Sequence, residues 1–586
     1  MSYQACISDC LRWCLQYLPL TVLFDFAAAF PSVAHKWIRS VLKKIRIPQG
    51  MLNAFNVLYQ DNEGVAKVGN LLKWLFSVKC GVLQGCPLSG TLFVIAIDPL
   101  LTLFEHYIYN PGLGAVYACA DDIGAALKDI RGLIIFAKLF EKFRLASGLT
   151  LKPTKCVAIL VSLDASEVNL RAIRDKLIQH IPQWKNLRFA PLGKYLGIHI
   201  GPKLGGINWE APMAKTFSRV EEILATKPPL VLACSTYNSR ALSVLGYVAQ
   251  LTPPPECFKV SELRMANKVL RLATNSFDTD CVHQLDVLGG PRLPRPLAYV
   301  TACITRASIK TFDGFELQHS SLVDAVFKNE SLAQSSHFNA IPEGWDSPAY
   351  ASNLSLACSG RLADTYFPGA LNTILNIKKD FRKKKLKVGL QKTIYKFLLS
   401  LIPSRFDVLF ARRFRKLKID NSQEYASNFQ SARIQHFAGQ IMKSSKSLPP
   451  SSMMALLRTW SNGWFTTHRT QAKNNGGIKL PCIFGCGDEE DSLHHYICCE
   501  PLWTLVISCT VNQTSLLHLP AANKICLVNP NSVTISLWVV SFQVYHALRN
   551  TYSHEINLAV QQSDFSHIAV IACALLINFA EELNLR

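Results

Sequence analysis

The sequence predicts an α+β fold for about the first 200 residues and a mainly helical remainder. Two observations predict this division. Apolar runs of strand length alternate with helical patterns up to about residue 200, and helical patterns dominate from about residue 210 onward. The chain of 586 residues is 49% hydrophobic, which is enough for substantial cores and indicates several domains.

The strand-like runs of the first part are rich in apolar residues and lie at 20–26, 76–83, 116–120, 154–160 and 194–200. Helical patterns separate them at 35–45, 91–106 and 128–147. Further along, a polar stretch rich in Ser and Asn at about 315–360 predicts a linker or loop-rich segment. Residues 370–420 are strongly basic.

The charge balance predicts a partner with dense negative charge. The chain has 62 Lys and Arg against 41 acidic residues, a formal net charge of +21, so we expect nucleic acid first and an anionic membrane second. No stretch reaches about 18 uninterrupted apolar residues, so no membrane span is expected. The N-terminal residues do not follow the pattern of a secretory signal, which makes the 19 cysteines thiols or metal ligands rather than disulfides.

Two adjacent carboxylates interrupt apolar surroundings in the stretch VYACADDIGA. Asp121 and Asp122 stand between two strand-like runs, with Gly124 just after them, and this pattern predicts a tight hairpin with the acids at its tip. Asp25 ends the apolar run TVLFDF in a similar setting. Ionised carboxylates in such surroundings need a partner, and Mg²⁺ is the natural one because it prefers oxygen ligands.

Carboxylates on two neighbouring strands are the arrangement that holds a pair of divalent ions in phosphoryl transfer. One ion lowers the pKa of the attacking hydroxyl, and the other neutralises the leaving pyrophosphate. The alternative is that the Asp–Asp pair is only a turn signal and Asp25 an ordinary residue at a strand end.

Five motifs in order resemble the reverse transcriptases of non-LTR (LINE-type) retrotransposons. They are LFDFAAAFPSV (23–33), GVLQGCPLSGTLFVIAIDPLL (81–101), ACADDIG (118–124), SGLTLKPTKC (147–156) and KYLGIHIG (194–201). The resemblance covers about residues 20–200 and implies the palm of a right-hand polymerase, a mixed sheet with packed helices. It implies an RNA-directed DNA polymerase that uses an RNA template, a DNA primer or target, deoxynucleotides and two Mg²⁺ ions.

The resemblance assigns roles by position. Asp25, Asp121 and Asp122 match the acids that bind the metal ions. Phe30 matches the bulky residue beneath the incoming sugar, where it would exclude a ribose 2′-hydroxyl. Its alternative role is plain core packing. Lys155 matches a lysine that approaches the leaving phosphates, with a solvated lysine as its alternative.

The remaining matches concern the nucleotide pocket and the primer. Gln84 and Gly85 match the Gln-Gly pair that lines the nucleotide pocket, where glycine allows a close backbone approach. Residues 195–197 match the turn that positions the primer strand. The alternative for the Gln-Gly segment is a loop that leads into a buried helix.

The sequence also departs from the family. Cys119 stands where an aromatic residue is usual. The family carries finger motifs upstream of its first aspartate, and only 24 residues precede Asp25, so we expect an N-terminally truncated domain without fingers. That expectation keeps a second hypothesis open: a catalytically inactive retrotransposon remnant that only binds nucleic acid.

A compact cluster of Cys and His residues occurs in CIFGCGDEEDSLHHYICC (482–499). Cys482, Cys486, His494 and Cys499 have a spacing suited to one structural, tetrahedral Zn²⁺. In a shifted register His495 or Cys498 could take the place of its neighbour, so the spacing leaves the third and fourth ligands open. A CCHC element after the polymerase is also similar to the one in many LINE-type proteins. Residues 378–387 and 411–418 combine cations with Phe381 and Phe414, a composition suited to nucleic acid, or to a solvated helix with its aromatic residue in the core.

These patterns divide the chain into five parts: palm (1–205), thumb-like helical region (206–310), linker and basic nucleic-acid-binding region (311–470), CCHC zinc element (471–505) and helical tail (506–586). The expected localisation is the nucleus and cytoplasm.

Overall fold

The computed structural model divides the chain into two units, each built around its own core. The structure describes residues 19–83, 85–128, 130–160, 167–201, 206–311, 361–386, 388–446, 448–449, 451–470, 480–487, 489–511, 513–583 and 585. Residues up to 208 belong to the first unit, and those at 209–311 and from 361 onward belong to the second.

A mixed sheet of five strands forms the centre of the first unit. Its strands are β1 (Leu20–Phe24), β4 (Gly114–Cys119), β5 (Asp122–Leu127), β6 (Val157–Leu160) and β7 (Arg188–Ala190), in the spatial order β4-β5-β1-β6-β7. All neighbours pair antiparallel except β6 and β7, which are parallel. The acid-bearing strand β1 therefore lies between the hairpin strand β5 and strand β6.

The helices of the first unit follow the amphipathic patterns of the sequence. They are α1 (Ala29–Ser32), α2 (His35–Lys44), α3 (Gln49–Tyr59), α4 (Ser89–Phe104), α5 (Arg131–Ser147) and α6 (Glu167–His180). The helices predicted at 35–45, 91–106 and 128–147 are confirmed as α2, α4 and α5.

Aromatic packing fixes the sheet against α5. Phe24 of β1 points into the core, where its ring centroid lies 4.9 Å from that of Phe136 and 4.9 Å from that of Phe140, both on α5. Trp184 closes the cluster at 5.9 Å from Phe24. Side chains alternate along a strand, so residues next to Phe24 face the opposite side of the sheet.

Two hairpins lie outside the main sheet: β2 (Glu63–Val68) with β3 (Leu71–Ser77), and β8 (Gly193–Tyr195) with β9 (Ile198–Ile200). The predicted strand at 76–83 is wrong for most of its length, because only residues 76 and 77 belong to a strand, at the end of β3. Residues 79–83 instead run beside residues 30–35 through single contacts, such as the Gly81 amide to the Val33 carbonyl at 2.8 Å. The apolar run that predicted a strand there lies instead beside the end of α1 and the start of α2, and it pairs through single hydrogen bonds rather than a strand ladder.

One helix in the described part of the chain is long and apolar enough to cross a membrane by length and composition. It spans Ser89–Tyr109, with a mean hydropathy of 1.4. Phe93, Ile97 and Leu100 on its inner face are at most 1% exposed and pack into the core of the first unit. A core helix has this composition for the same reason that a membrane helix does.

Helices are the main regular elements among the described residues of the second unit. Its helices are α7 (Ile207–Ala225), α8 (Leu230–Thr236), α9 (Leu245–Val248), α10 (Phe258–Val269), α11 (Thr279–Val282), α12 (Pro296–Thr311), α13 (Arg361–Tyr366), α14 (Leu371–Arg382), α15 (Leu390–Ser400), α16 (Phe406–Lys416), α17 (Ser422–Ser427), α18 (Ile434–Ser444), α19 (Ser451–Trp460), α20 (Thr467–Thr470), α21 (Leu493–Cys498), α22 (Glu500–Cys509), α23 (Ala521–Lys524), α24 (Ser532–Thr551), α25 (Ser553–Gln562) and α26 (Ser566–Glu582).

Buried tryptophans link the later helices of this unit. Trp464 and Trp538 both donate through Nε1 to the Thr459 hydroxyl, at 3.0 and 2.7 Å. This shared acceptor satisfies two indole groups inside the core, where an unpaired N–H would be costly. The helical character predicted beyond residue 210 is confirmed. The basic residues at 370–420 lie mostly in α14, α15 and α16, and the predicted polar linker at 315–360 lies outside the described residues.

Candidate active site and Cys/His cluster

The register of the sheet brings the predicted acids of the first unit together. Strands β1 and β5 pair antiparallel with Phe24 opposite Ile123, so Asp25, one residue on, comes opposite Asp122. Phe24 and Ile123 point into the core, and alternation turns Asp25 and Asp122 to the other face. Two carboxylates that are 97 residues apart in sequence thus become cross-strand neighbours.

The hairpin between β4 and β5 carries the third acid. Cys119 pairs with Asp122, which leaves Ala120 and Asp121 as a two-residue loop. Ala120 has a φ of 53°, a left-handed conformation that is strained for alanine. The predicted hairpin with the acids at its tip is confirmed, and its tight turn holds Asp121 beside Asp122.

A loop before β6 anchors the backbone of Asp25 on both sides. The Asp25 amide donates to Cys156 Sγ at 3.4 Å, and the Asp25 carbonyl accepts from the Lys152 amide at 2.9 Å. Burial raises the pKa of Cys156 to about 12, so its thiol stays neutral. Residues 150–156 therefore fix the main chain of Asp25 and leave its side chain half-exposed. Sequence reasoning missed this role of Cys156.

Lys155 extends from the same loop toward the acids. Its Nζ lies 3.8 Å from Asp25 Oδ1, and the two side chains are 56% and 46% exposed. At such exposure solvent screens the pair, so it contributes little to stability. The contact instead holds a cation at the edge of the aspartate group.

The three carboxylates repel one another. The pKa of Asp122 is raised, first by partial burial and then by the negative charges of Asp121 and Asp25. The oxygens of the aspartates are not grouped as tightly as the ligand atoms of the Cys/His cluster described below. A divalent cation would relieve the repulsion, and the half-exposed carboxylates provide the oxygen ligands that Mg²⁺ prefers.

Tyr195, at the turn between β8 and β9, covers the hairpin. Its hydroxyl lies 3.3 Å from the carbonyl oxygens of both Tyr117 and Asp122. A Cβ at Gly124 would lie only 3.3 Å from the Tyr195 ring, so glycine lets the ring sit directly on β5. The predicted turn at 195–197 is therefore next to the acids.

The segment predicted to line the nucleotide pocket runs beside Phe30. The Phe30 ring stacks on that of Phe93 at 4.4 Å between centroids, and the Phe30 carbonyl accepts from the Val82 amide at 2.9 Å. Gly85 has a φ of 85° and is exposed, with open space where a Cβ would be. Gln84 lies outside the described residues.

A second site lies in the second unit. Cys482, Cys486, His495 and Cys499 each offer one ligand atom, and these atoms all lie within 4.8 Å of one another. Cys499 Sγ is 3.8 Å from Cys482 Sγ and 3.4 Å from Cys486 Sγ. Four ligands around Zn²⁺ at Zn–S distances of about 2.3 Å would separate sulfurs by about 3.8 Å, so the observed spacing fits a tetrahedral ion.

His495, the alternative in shifted register, lies in this cluster, and His494 does not. Ser492 caps α21 by accepting a hydrogen bond from the His495 amide at 3.2 Å. Successive residues of a helix are rotated by about 100°, so His494 points away from the cluster. Nε2 of His495 is buried without a hydrogen-bond partner, while Nδ1 lies 3.6 Å from Glu489 Oε2. A free ring nitrogen facing three sulfurs, with a carboxylate behind the other nitrogen, is the arrangement of a zinc-bound histidine. Cys498 is exposed.

The pKa values of the cysteines in the cluster shift in different directions. Hydrogen bonds with the Cys499 thiol and the Phe484 amide, 3.4 Å away, help to lower the pKa of Cys482 to about 4, which favours its thiolate form. Burial raises the pKa of Cys486 to about 11. Gly485 and Gly487 both have a positive φ. They lie in the loop that reverses the chain between Pro481 and Glu490, two residues joined by an isolated β-bridge.

A family model described as reverse transcriptase (RNA-dependent DNA polymerase) matches residues 14–200. This part of the chain, about a third of its length, is therefore similar to a reverse transcriptase domain.

The similar proteins are products of transposable elements. The chain is 30% identical over 207 residues to the Pol polyprotein of the type-1 retrotransposable element R2 of Popillia japonica, which covers 34% of this chain and 30% of that protein. It is 28% identical over 184 residues to the corresponding R2 protein of Nasonia vitripennis, covering 30% and 18%. An uncharacterized 149 kDa protein of transposon TX1 from Xenopus laevis is 25% identical over 209 residues, covering 35% and 15%.

The matches thus span at most about a third of these relatives' length. A telomerase structure from Candida albicans, in complex with a TWJ fragment of telomeric RNA, aligns with 54% of this chain and 53% of its own at 14% identity. Its TM-score of 0.25 is too low to carry an argument.

Proposed function

We propose that the first unit extends a primer 3′-hydroxyl with deoxynucleotides on an RNA template, as the polymerase of a non-LTR retrotransposon. The observation that carries the proposal is the register that sets Asp25 opposite Asp122, with Asp121 in the adjoining turn. Two Mg²⁺ ions held by these carboxylates would lower the pKa of the primer hydroxyl and neutralise the leaving pyrophosphate.

The chain's own residues have separate tasks in this proposal. Asp25 and Asp121 are the principal ligands, and Asp122 completes the group. The half-exposed ammonium of Lys155, 3.8 Å from Asp25, is available to meet the phosphates of the departing pyrophosphate. Tyr195 stabilises the hairpin from above through its hydrogen bonds to carbonyl oxygens, so that Asp122 keeps its position.

Phe30 would select the sugar. Its ring is held by stacking on Phe93, so it is a rigid wall rather than a mobile side chain. A rigid ring below the incoming nucleotide discriminates by a repulsive contact with a ribose 2′-hydroxyl. Apart from Gly85 and its chain neighbours, no atom of the described residues lies within 4 Å of the place where a Cβ of Gly85 would be, so this exposed glycine would leave room for the nucleotide.

The Cys/His cluster would hold one structural Zn²⁺ through Cys482, Cys486, His495 and Cys499. The unpartnered Nε2 of His495 and the tetrahedral spacing of the sulfurs support this assignment. When bound, zinc would contribute folding free energy to the short 480–499 segment.

Primer extension on a polyribonucleotide template tests the proposal. With Mg²⁺ and deoxynucleotides, Asp121→Ala is expected to lower extension at least about a hundredfold, because a lost metal ligand removes most of the transition-state stabilisation. The affinity for the template, measured separately, should stay within about twofold of that of the unsubstituted chain, because Asp121 lies outside the basic segments. Asp98→Asn on the exposed side of α4 is the matched control and should extend normally.

The inactive alternative is tested in the same assay. If the unsubstituted chain binds template but extends no primer under any divalent ion, the chain is a nucleic-acid-binding remnant. Equal extension by the unsubstituted chain and Asp121→Ala would instead refute the metal assignment.

A further inference from the structure

A large cleft in the second unit is lined by cations and tyrosines. It has a volume of about 1670 Å³, more than a pocket for one small molecule needs. Its walls come from α8, α12, the end of α14, the start of α15 and the loop between α14 and α15. We refer to it as the basic cleft. Among the described residues that line it, five are Arg or Lys and none is Asp or Glu.

We propose that the basic cleft binds single-stranded nucleic acid, with phosphates on its cations and bases against its tyrosines. The proposal goes beyond the polymerase site, since it concerns the second unit and needs no metal ion. Cations alone attract any polyanion, but a concave wall that alternates cations with aromatic rings is suited to unpaired bases.

Two tyrosines and Phe381 form the aromatic part of the wall, and each tyrosine is fixed at its hydroxyl end. The Tyr395 hydroxyl accepts a hydrogen bond from the Arg295 amide at 3.1 Å. The Tyr299 hydroxyl packs against Gly246, where any Cβ would clash with it. Rings held in this way lose little conformational entropy when a base stacks on them, which favours binding.

An arginine accompanies each tyrosine. Burial raises the pKa of Tyr299 to about 12, and the nearby charge of Arg306 acts in the opposite direction. Burial also raises the pKa of Tyr395, and the nearby charge of Arg292 again acts in the opposite direction. Nε of Arg306 is buried without a hydrogen-bond partner among the described residues, although the guanidinium also donates to Gln250 at 2.7 Å. A phosphate in the cleft would satisfy this donor.

Lysines complete the cleft at its rim. Lys384 and Lys392 are exposed and form no ion pair with any acid in the described parts of the chain. The other basic run that the sequence singled out differs: Phe414 is fully buried and stacks on Phe410 at 5.6 Å. Only the run at 378–387 contributes an aromatic residue, Phe381, to the cleft.

Fluorescence anisotropy with a labelled 12-nucleotide RNA tests the proposal on the full chain, in EDTA and without deoxynucleotides. Lys384→Gln with Lys392→Gln is expected to weaken binding about tenfold in low salt and to reduce the slope of log K against log salt by about 1.4, or about 0.7 per phosphate contact. Lys383→Gln with Lys385→Gln is the matched control. These lysines belong to the same segment but do not line the cleft, and their loss should change affinity less than about twofold.

A second variant tests the stacking. Tyr299→Leu should weaken binding of the RNA about fivefold or more but leave binding of an abasic strand of equal length unchanged. Circular dichroism and melting temperature confirm that the variant folds. The same oligonucleotide as DNA, and as a duplex, distinguishes the ligands: both single strands should bind through the cleft, and the duplex should be insensitive to Tyr299→Leu.

If both lysine double variants weaken RNA binding equally, or if neither weakens it, the cleft is not the binding site. An equal effect of Tyr299→Leu on the normal and abasic strands would overturn base stacking. Asp121→Ala should bind like the unsubstituted chain in EDTA, so that a failure here is separate from a failure of the polymerase proposal.

Discussion

At the scale of single residues, chemistry is easier to predict than rotation about a helix. The three aspartates were predictable because carboxylates in apolar surroundings need a partner, and the motifs named them. His495 was not separable from His494 by spacing, because both fit a tetrahedral site. Only the cap at Ser492, which sets the phase of α21, decides which ring faces the sulfurs. Cys156 gave no signal beyond its place in a motif.

The repulsion at Asp122 predicts that Asp122→Asn stabilises the chain when Mg²⁺ is absent and weakens its response when Mg²⁺ is added. Without divalent ions, Asp122→Asn should raise the melting temperature at neutral pH, since it removes a carboxylate whose ionised form burial and two neighbours disfavour. Mg²⁺ at ten times its dissociation constant should stabilise the unsubstituted chain by about 1.4 kcal/mol and the variant by less. Calorimetry with and without Mg²⁺ measures both effects.

Asp98→Asn is the control for that comparison, because it removes an exposed carboxylate of α4 and should behave like the unsubstituted chain. An unchanged response to Mg²⁺ in Asp122→Asn would show that the ion binds without this residue.

Phe30 predicts a change in sugar selection. Phe30→Ala should reduce the preference for deoxynucleotides over ribonucleotides on the order of tenfold, because the rigid wall that stacks on Phe93 is lost. Single-nucleotide incorporation of both substrates measures the ratio of their kcat/KM. Phe93→Leu loosens the same stack without opening the wall, so it should affect stability more than the ratio. A ratio that is unchanged in Phe30→Ala would assign Phe30 to core packing alone.

At the scale of elements, the strong periodic patterns gave correct helices, and pairing partners remained undetermined. Helices α2, α4 and α5 and strands β1, β4 and β6 follow from apolar periodicity. The hairpin of β2 and β3 was missed because both of its faces are exposed, with Leu72 71% and Trp74 59% accessible, so no alternation marks it. The wrong strand prediction at 76–83 has a related cause, because an apolar run alone does not show whether the segment pairs within a sheet.

The Cys/His cluster, as a proposed zinc site, predicts different effects of two adjacent substitutions. His495→Gln should lower zinc affinity at least about tenfold, since it replaces the free Nε2 that faces the sulfurs. His494→Gln, on the neighbouring position of the same helix, should leave zinc content unchanged. Zinc per chain, measured by atomic emission after dialysis against a weak chelator, compares them. Loss of zinc in His494→Gln alone would reverse the assignment.

At the scale of the whole molecule, the sequence predicted a sheet-bearing first part and a helical remainder but not the arrangement inside the helical part. Basic composition at 370–420 predicted nucleic-acid contact without indicating which residues face outward. Packing decides this, since it buries Phe414 and turns Lys384 and Lys392 to the basic cleft. Such choices depend on long-range contacts that no local pattern records.

A buried ionic group in the second unit predicts an unusual dependence of stability on pH. Glu262 of α10 lies 3.4 Å from Arg295 and 3.8 Å from His283, and Asp280 is the other acid on Arg295. Burial raises the pKa of Glu262 to about 7, so its contribution to stability falls as pH rises from about 4.5 to 7. Burial lowers the pKa of His283 to about 3, so its contribution rises between about 3 and 6.5.

The two contributions oppose each other between about pH 4.5 and 6.5. Glu262→Gln leaves only that of His283, so the melting temperature of the variant should rise across this window more steeply than that of the unsubstituted chain. Glu424→Gln, which removes an exposed carboxylate of α17, is the control. Parallel pH profiles for Glu262→Gln and the unsubstituted chain would show that Glu262 is ionised throughout.

The central claim is that strand register makes Asp25, Asp121 and Asp122 share divalent ions. Iron-mediated cleavage tests it most directly: Fe²⁺ replaces Mg²⁺, ascorbate and peroxide generate hydroxyl radicals at the bound ion, and mass spectrometry locates the cuts. We predict cuts near residue 25 and near residues 121–122 in the same chain, both suppressed by excess Mg²⁺ and both lost in Asp121→Ala. Cuts at only one of the two segments, or cuts that persist in Asp121→Ala, would contradict it.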